Sequence, residues 1–288
     1  WVRTGSEAVS AAVAIAQDTT KRRKIGTFPK AYHGWHPWTR EVEQLNEHPP
    51  FLPRYTAHHL AAVIVESPRW TLVDADYVKR LTALRTECDK AGVLLVYDDV
   101  VYGFRYHSAG LQGSTGVAPD IACFSKALGN GVPVACIAGE PALMNQSMFV
   151  VSSTFGGEML GLAAANTVLH LHQEADICGE LLRIGVRLRA ELVKAVADTP
   201  ISIVGTPQHF KFVAEAPYLD KFLELCVGTE SDTLQIDQGA ERVLIHRDAN
   251  NVNLAMTKAV QKEIVHTVKL AARQVKAEHS KDNNEWQK

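Results

Sequence analysis

Long hydrophobic runs are missing from this 288-residue chain. No stretch is long enough to span a bilayer and no signal-peptide pattern is visible, so no membrane partner is expected. Net charge is nearly absent too: 30 Lys and Arg stand against 32 Asp and Glu, a formal −2. Without a global field, recruitment of nucleic acid has no electrostatic basis. The basic cluster Lys21-Arg22-Arg23-Lys24 follows a helix-like apolar run, where cations complement the negative end of the helix dipole. Paired cysteines are also lacking. Cys88, Cys123, Cys136, Cys178 and Cys226 are odd in number and scattered, without a CxxC. That points to free thiols in a reducing compartment and to a cytoplasmic protein. No GxxxxGK[ST] occurs, so the acidic end of VLLVYDD is not the magnesium strand of a phosphate-loop NTPase. No repeat or low-complexity segment interrupts the chain.

What is present is an ordinary apolar fraction of 46%, spread over alternating strand-like and helix-like stretches. Thr4-Gly5-Ser6-Glu7 opens an apolar run to Ala16 and reads as the start of a buried helix. Lys24 to Pro29 reads as a strand. Ala31-Tyr32-His33-Gly34-Trp35-His36-Pro37-Trp38 follows, an aromatic segment on which a planar ligand could stack. His33 and His36 have a metal-like spacing, but no third close ligand supports zinc. Residues 41–60 read as a loop, and Leu60 to Val65 as a strand ending in Glu66-Ser67-Pro68. Val78, Leu81, Leu84 and Cys88 make the stripe of a helix over 76–90, stopped by Gly92. Val93 to Tyr97 is apolar throughout, as in a strand covered on both faces of a parallel sheet. Asp98 and Asp99 stand at its carboxyl end, where open α/β sheets bind ligands.

Strand Ile121 to Phe124 leads to Lys126 and the turn Gly129-Asn130-Gly131. A strand over 149–153, a turn from Thr154 to Glu158, and helices over 159–171 and 180–196 complete a large α/β domain, 1–198. From 199 to 288 the pattern changes to a small α+β domain. It has short strands over 201–204, 210–214 and 243–246, a helix over 219–226, and a final helix over 257–275. A frayed polar tail begins at Glu278.

Polar residues at strand ends place four groups on one rim: Gly5-Ser6, Tyr32-His33, Asp98 and Lys126. One cofactor explains all four. Pyridoxal 5'-phosphate needs a lysine for its Schiff base and a carboxylate to keep the pyridine nitrogen protonated. It also needs a phosphate cup at a helix amino end, and often a ring to stack on its face.

The stretches RTGSEAVSAAVAIA, AYHGWH, AAVIVES, LLVYDDVVYGFR, PDIACFSKALGNGVPV and SSTFGGE resemble, in order, those of the class-III pyridoxal-phosphate aminotransferases. The likeness is nearest to the glutamate-1-semialdehyde aminomutase-like branch and covers most of Trp1 to Leu171. It implies the fold-type-I architecture, a mostly parallel mixed sheet flanked by helices with a small C-terminal α+β domain. Lys126 then resembles the Schiff-base lysine and proton shuttle, Asp98 the ring-nitrogen carboxylate, Gly5 and Ser6 the phosphate cup, and Tyr32 the stacking ring. Val100 resembles the apolar residue beside the ring and Glu66 a carboxylate at the cofactor's edge. His33 and Trp35 are candidate contacts, and Arg69 and Arg105 are cations available for a substrate carboxylate. Thr154 resembles a threonine that reaches the phosphate from the partner subunit, which implies a homodimer with sites at the interface.

The resemblance implies an aminotransferase acting on a small amino donor and a keto or aldehyde acceptor. An aminomutase, or a reduced non-catalytic cofactor-binding protein, are the alternatives. Five departures stand out. Family members carry a long segment before the first motif, and the stretches after Trp38 and Pro200 are short, so a naturally reduced enzyme is expected, with a cut amino terminus as the alternative. The usual Asp-Glu pair is Asp98-Asp99 here, and Tyr102 replaces a small residue before Gly103.

Overall fold

A computed structural model describes residues 1–49, 51–52, 57–146, 151–227 and 250–285. The chain divides into two compact units, 1–68 with 72–178, and 69–71 with 179–288.

The first unit is built on a six-stranded sheet. Its strands are β1 (Lys24–Thr27), β2 (Glu43–Gln44), β3 (Leu60–Glu66), β4 (Leu94–Asp98), β5 (Ile121–Phe124) and β6 (Cys136–Gly139), in the order β2-β1-β3-β4-β5-β6. All pairings are parallel except β5 with β6. Side chains alternate between faces along a strand. Ala62, Ile64 and Val96 therefore join one core and Val63, Val65, Leu95 and Tyr97 the other.

Helix α1 (Gly5–Thr20) covers the first face, called the front here, burying Ala8, Val9, Ala12, Val13, Ile15 and Ala16. Each fully buried Val or Ile adds about 1.5–3 kcal/mol. A capping box fixes where α1 starts: the Thr4 hydroxyl accepts from the Glu7 amide, and the Glu7 carboxylate accepts from the Thr4 amide at 2.8 Å. Lys21, at φ 57°, ends it. Helix α2 (Ala75–Ala91) covers the back through Leu81, Leu84 and Cys88, with Asp74 as its N-cap and Gly92 as its left-handed C-cap. Short helices α3 (Gly110–Thr115) and α4 (Pro141–Gln146) and the longer α5 (Met159–Glu174) complete the unit. Arg22 lies just past α1, yet its guanidinium serves a different helix. It donates to the carbonyls of Ala91 and Gly92 at the end of α2, and of Leu60 at the start of β3.

Helix α6 (Ile177–Ala195) begins at the end of the first unit and runs into the second. The second unit has an antiparallel sheet of β7 (Ser202–Gly205), β8 (His209–Val213) and β9 (Asn250–Asn251), with α7 (Ala216–Val227) and α8 (Lys258–Glu285). Phe210 and Phe222 both pack on Phe212 in its core, the first edge to face and the second tilted. Lys211 Nζ lies 5.0 Å from the Trp70 ring, which also packs on His209.

Three expectations change. Residues 151–153 form no strand, and the rest of the 149–153 strand lies outside the described residues. The tail from Glu278 is helical as far as Glu285, where α8 ends, and 286–288 lie outside the described residues. The 41–60 stretch contains β2, a two-residue edge strand too short to leave an alternating pattern. The strand expected over 243–246 lies outside the described residues.

Candidate functional site

The carboxyl ends of β1, β3, β4 and β5 form a rim, and His33, Glu66, Asp98 and Lys126 lie at or just past those strand ends. The β3–β4 register sets Glu66 beside Asp98, and the β4–β5 register sets Asp98 beside Cys123, three residues before Lys126.

Asp98 is 5% exposed. Its Oδ2 lies 2.9 Å from His33 Nδ1, and its Oδ1 accepts from the Val100 amide at 3.3 Å. The second ring nitrogen of His33, Nε2, is 2.7 Å from the hydroxyl of buried Thr27. The contact with a carboxylate suits the tautomer that donates from Nδ1. His33 is thus engaged at both nitrogens and positions Asp98 from behind. Its neighbour Tyr32 donates a backbone N–H to Glu66 at 3.0 Å. Two consecutive residues therefore satisfy two carboxylates that sit side by side on neighbouring strands. Tyr32 itself is 56% exposed and Trp35 73%. His36, near in sequence, turns to Ser10 at 2.6 Å.

The amino end of α1 closes on this group because two glycines leave room. A Cβ at Gly5 would meet Val100 Cγ1 at 2.7 Å, and one at Gly34 would meet the Ser6 side chain. Gly34 also has φ +96°, open to glycine at little cost. Gly5, Ser6, Val100, Asp98 and His33 thus form one contiguous group. Lys126 follows on the adjacent strand end, exposed and at φ 43°, a left-handed backbone uncommon outside glycine. Its carbonyl anchors the turn, accepting from Gly129 and Asn130. Thr154 lies on an exposed turn held by a close approach of Gly156 to the Trp1 carbonyl and by a 2.7 Å ion pair of Arg3 with Glu158.

Asp99 does a different job from Asp98. It is 1% exposed, accepts from the Ser67 hydroxyl at 2.6 Å and from the Leu111 amide, and is tightly approached by Gly110. Burial pushes its carboxyl up to about 7 against the two hydrogen bonds, and the nearby Asp98 charge adds to the rise. Arg105 is half-buried, with its Nε 3.4 Å from the Val101 carbonyl. Burial also pushes the thiols up, Cys136 and Cys178 to about 11 and Cys88 and Cys226 to about 12, which leaves them protonated at neutral pH. Among the described residues no group of three metal-ligating side chains occurs, and no helix is long and apolar enough to cross a membrane.

The sequence reading did not assign Thr27, Gly34 or Ser67. A threonine closing a strand and a serine after Glu66 carry no distinctive signal; Gly34 does, because it follows the Tyr-His pair.

A mixed, mostly parallel sheet with a helix amino end, a buried carboxylate and a lysine on one rim defines a fold-type-I α/β protein. The fold matches the FumI protein of Sphingopyxis sp. MTA144, solved with pyridoxal phosphate, at TM-score 0.80 and 22% identity over 96% of this chain and 71% of that one. The profile of the family "Aminotransferase class-III" matches residues 37–205. The chain belongs to the class-III aminotransferase family. It is 30% identical over 255 residues to a glutamate-1-semialdehyde 2,1-aminomutase of Halorubrum lacusprofundi, covering 75% of this chain and 57% of that protein. It is 29% identical over 231 residues to a 3-aminobutyryl-CoA aminotransferase of Cloacimonas acidaminovorans, covering 72% and 55%. The chain spans little more than half the length of these relatives.

Proposed function

We propose that this protein is a pyridoxal-phosphate-dependent aminotransferase, moving an amino group from a small amino donor to a keto or aldehyde acceptor. The observation that carries the reading is Asp98, buried and held by His33 at 2.9 Å, on a rim shared with the α1 amino terminus and Lys126. The residues fit the cofactor. Gly5 and Gly34 let the amino end of α1 pack closely against Val100 and the Tyr32-His33 segment, the α1 N–H groups suit a phosphate, and Asp98 is an acceptor matched to a protonated ring nitrogen.

When bound, pyridoxal phosphate supplies an electron sink that makes the α-C–H of an amino acid acidic. The chain's own residues do the rest. Asp98 holds a proton at the ring nitrogen, and His33 with Thr27 fixes the direction of its carboxylate. Gly5 and Ser6 would bind the phosphate, and Val100, Tyr32 and Glu66 would line the space around the ring. Lys126 Nζ would supply the nucleophile for the carbonyl carbon and carry the α-proton.

Thr154 reaches the phosphate of a second subunit, which makes the protein a homodimer. Phe155, Met159 and Leu160 support this, since they stand 63%, 78% and 76% exposed around that turn and large apolar exposure favours a covering partner. A light-scattering mass of two chains that falls to one in Met159→Lys/Leu160→Lys is expected; a wild-type monomer contradicts it. Five free cysteines suit a cytoplasmic setting. An intramolecular aminomutase remains the second reading, supported by the Halorubrum relative.

The deciding experiment is the visible spectrum of the purified protein with added pyridoxal phosphate, beside Lys126→Ala. A lysine-dependent band that bleaches with an amino donor is expected. A band indifferent to every donor indicates a non-catalytic binder, and absence of any lysine-dependent band in folded protein overturns the cofactor reading.

A further inference from the structure

Behind the rim, on the face of the sheet covered by α2, lies a cleft of about 290 Å³. Its floor is apolar, formed by Phe28, Phe51, Val65, Tyr77, Leu81 and Leu84, with Phe28 and Phe51 packed edge to face at 6.0 Å. Ligand pockets start at about 300 Å³, so the space suits one small molecule.

The mouth carries Lys30, Glu47 and His48, all exposed. Among the described residues these three side chains have no hydrogen-bond or ion-pair partner. The other charged lining groups are committed, Arg80 to Asp76 at 2.9 Å and Glu66 to the Tyr32 amide. The cleft thus presents one unpaired cation and one unpaired anion over an apolar cup. A ligand of either charge alone would leave one group unanswered, and a polar side chain set on the apolar floor would lose its water there. A zwitterion with an apolar tail answers all three features.

We propose that this cleft binds a free α-amino acid with an apolar side chain. Its carboxylate meets Lys30, its ammonium meets Glu47, and its side chain fills the cup. Neither Lys126 nor Asp98 lines the cleft, so binding there needs no cofactor. The cleft still adjoins the front, because its wall at Phe28 to Ala31 continues directly into Tyr32 and His33.

Calorimetric titration with L-phenylalanine, on the full Lys126→Ala chain prepared without pyridoxal phosphate, tests the proposal. One-to-one saturable binding and a ligand-dependent rise in melting temperature are expected. Phenylacetate and phenethylamine, each lacking one charge, bind at least tenfold more weakly. Glu47→Lys, at an exposed position, lowers affinity at least tenfold with an unchanged ligand-free melting temperature, and Leu81→Trp fills the cup and abolishes binding. Absence of heat and of any melting shift at millimolar phenylalanine overturns the proposal. So does binding that survives Glu47→Lys intact, or binding that survives there and is lost in Asp98→Asn, which would put the amino acid on the front.

Discussion

The two faces of the sheet meet at one rim and treat charge in opposite ways. On the front, Asp98 is buried and its carboxylate oxygens are answered by His33 and the Val100 amide. On the back, exposed Lys30 and Glu47 have no partner among the described residues and stand around an apolar floor. Burial decides the difference. A charge inside the protein must be satisfied by the protein, because an unpaired one costs several kcal/mol. A charge at a mouth is satisfied by water and can exchange that water for a ligand. The front is therefore organised before anything binds, whereas the back keeps its polar partners available.

The sharpest way to break the contrast is Lys126→Ala. Loss of a positioned proton carrier alone costs about 10²–10⁴ in rate, so single-turnover transamination should fall at least that far while chemical unfolding changes little.

Next comes pH. The Asp99 carboxyl is raised from its ordinary 3.8 to about 7, so the folded state binds a proton more readily than the unfolded chain. The stabilisation this gives is complete below about pH 4 and is lost as pH rises toward 7. Urea melts should show wild type losing a few kcal/mol relative to Asp99→Asn across that window, with a constant difference above about pH 8. A flat difference throughout would mean Asp99 is not protonated on folding.

His33→Ala leaves the Asp98 carboxylate buried with one donor fewer, and a loss of about 1–3 kcal/mol in unfolding free energy is expected. His33→Gln, which can still donate, should recover part of it. The smallest effect belongs to the back: Glu47→Ala should change stability by less than about 0.5 kcal/mol, and a larger loss would show the mouth to be structural.

Most of the rim was readable in the chain because its residues sit beside strong local signals. Asp98 ends a run of five apolar residues, Lys126 follows another, and Gly5-Ser6 opens a nearly all-apolar helix. Tyr32-His33 was legible as an unusual aromatic segment, yet not the direction of His33. Its partners Thr27 and Asp98 are 6 and 65 positions away, and only the parallel stacking of β1, β3 and β4 brings them together. The Asp98-Asp99 pair likewise looked like one feature. Consecutive residues at a strand end point opposite ways, so one faces the helix amino end and the other ties Ser67 to α3. The cleft left no trace in the sequence, since its wall comes from four separated segments. Arg22 was legible as a cation near a helix end, but the helix it serves is 70 positions on.

That arginine has a consequence for time rather than for energy. Its guanidinium joins the ends of α1, α2 and β3, segments far apart in the chain. Contacts of such long sequence separation are costly to form early, so Arg22→Ala is expected to raise the unfolding rate more than it lowers the refolding rate, as denaturant-jump kinetics would measure. On that expectation Arg22 is a latch on the lifetime of the sheet, and with it the interval over which the rim residues stay aligned.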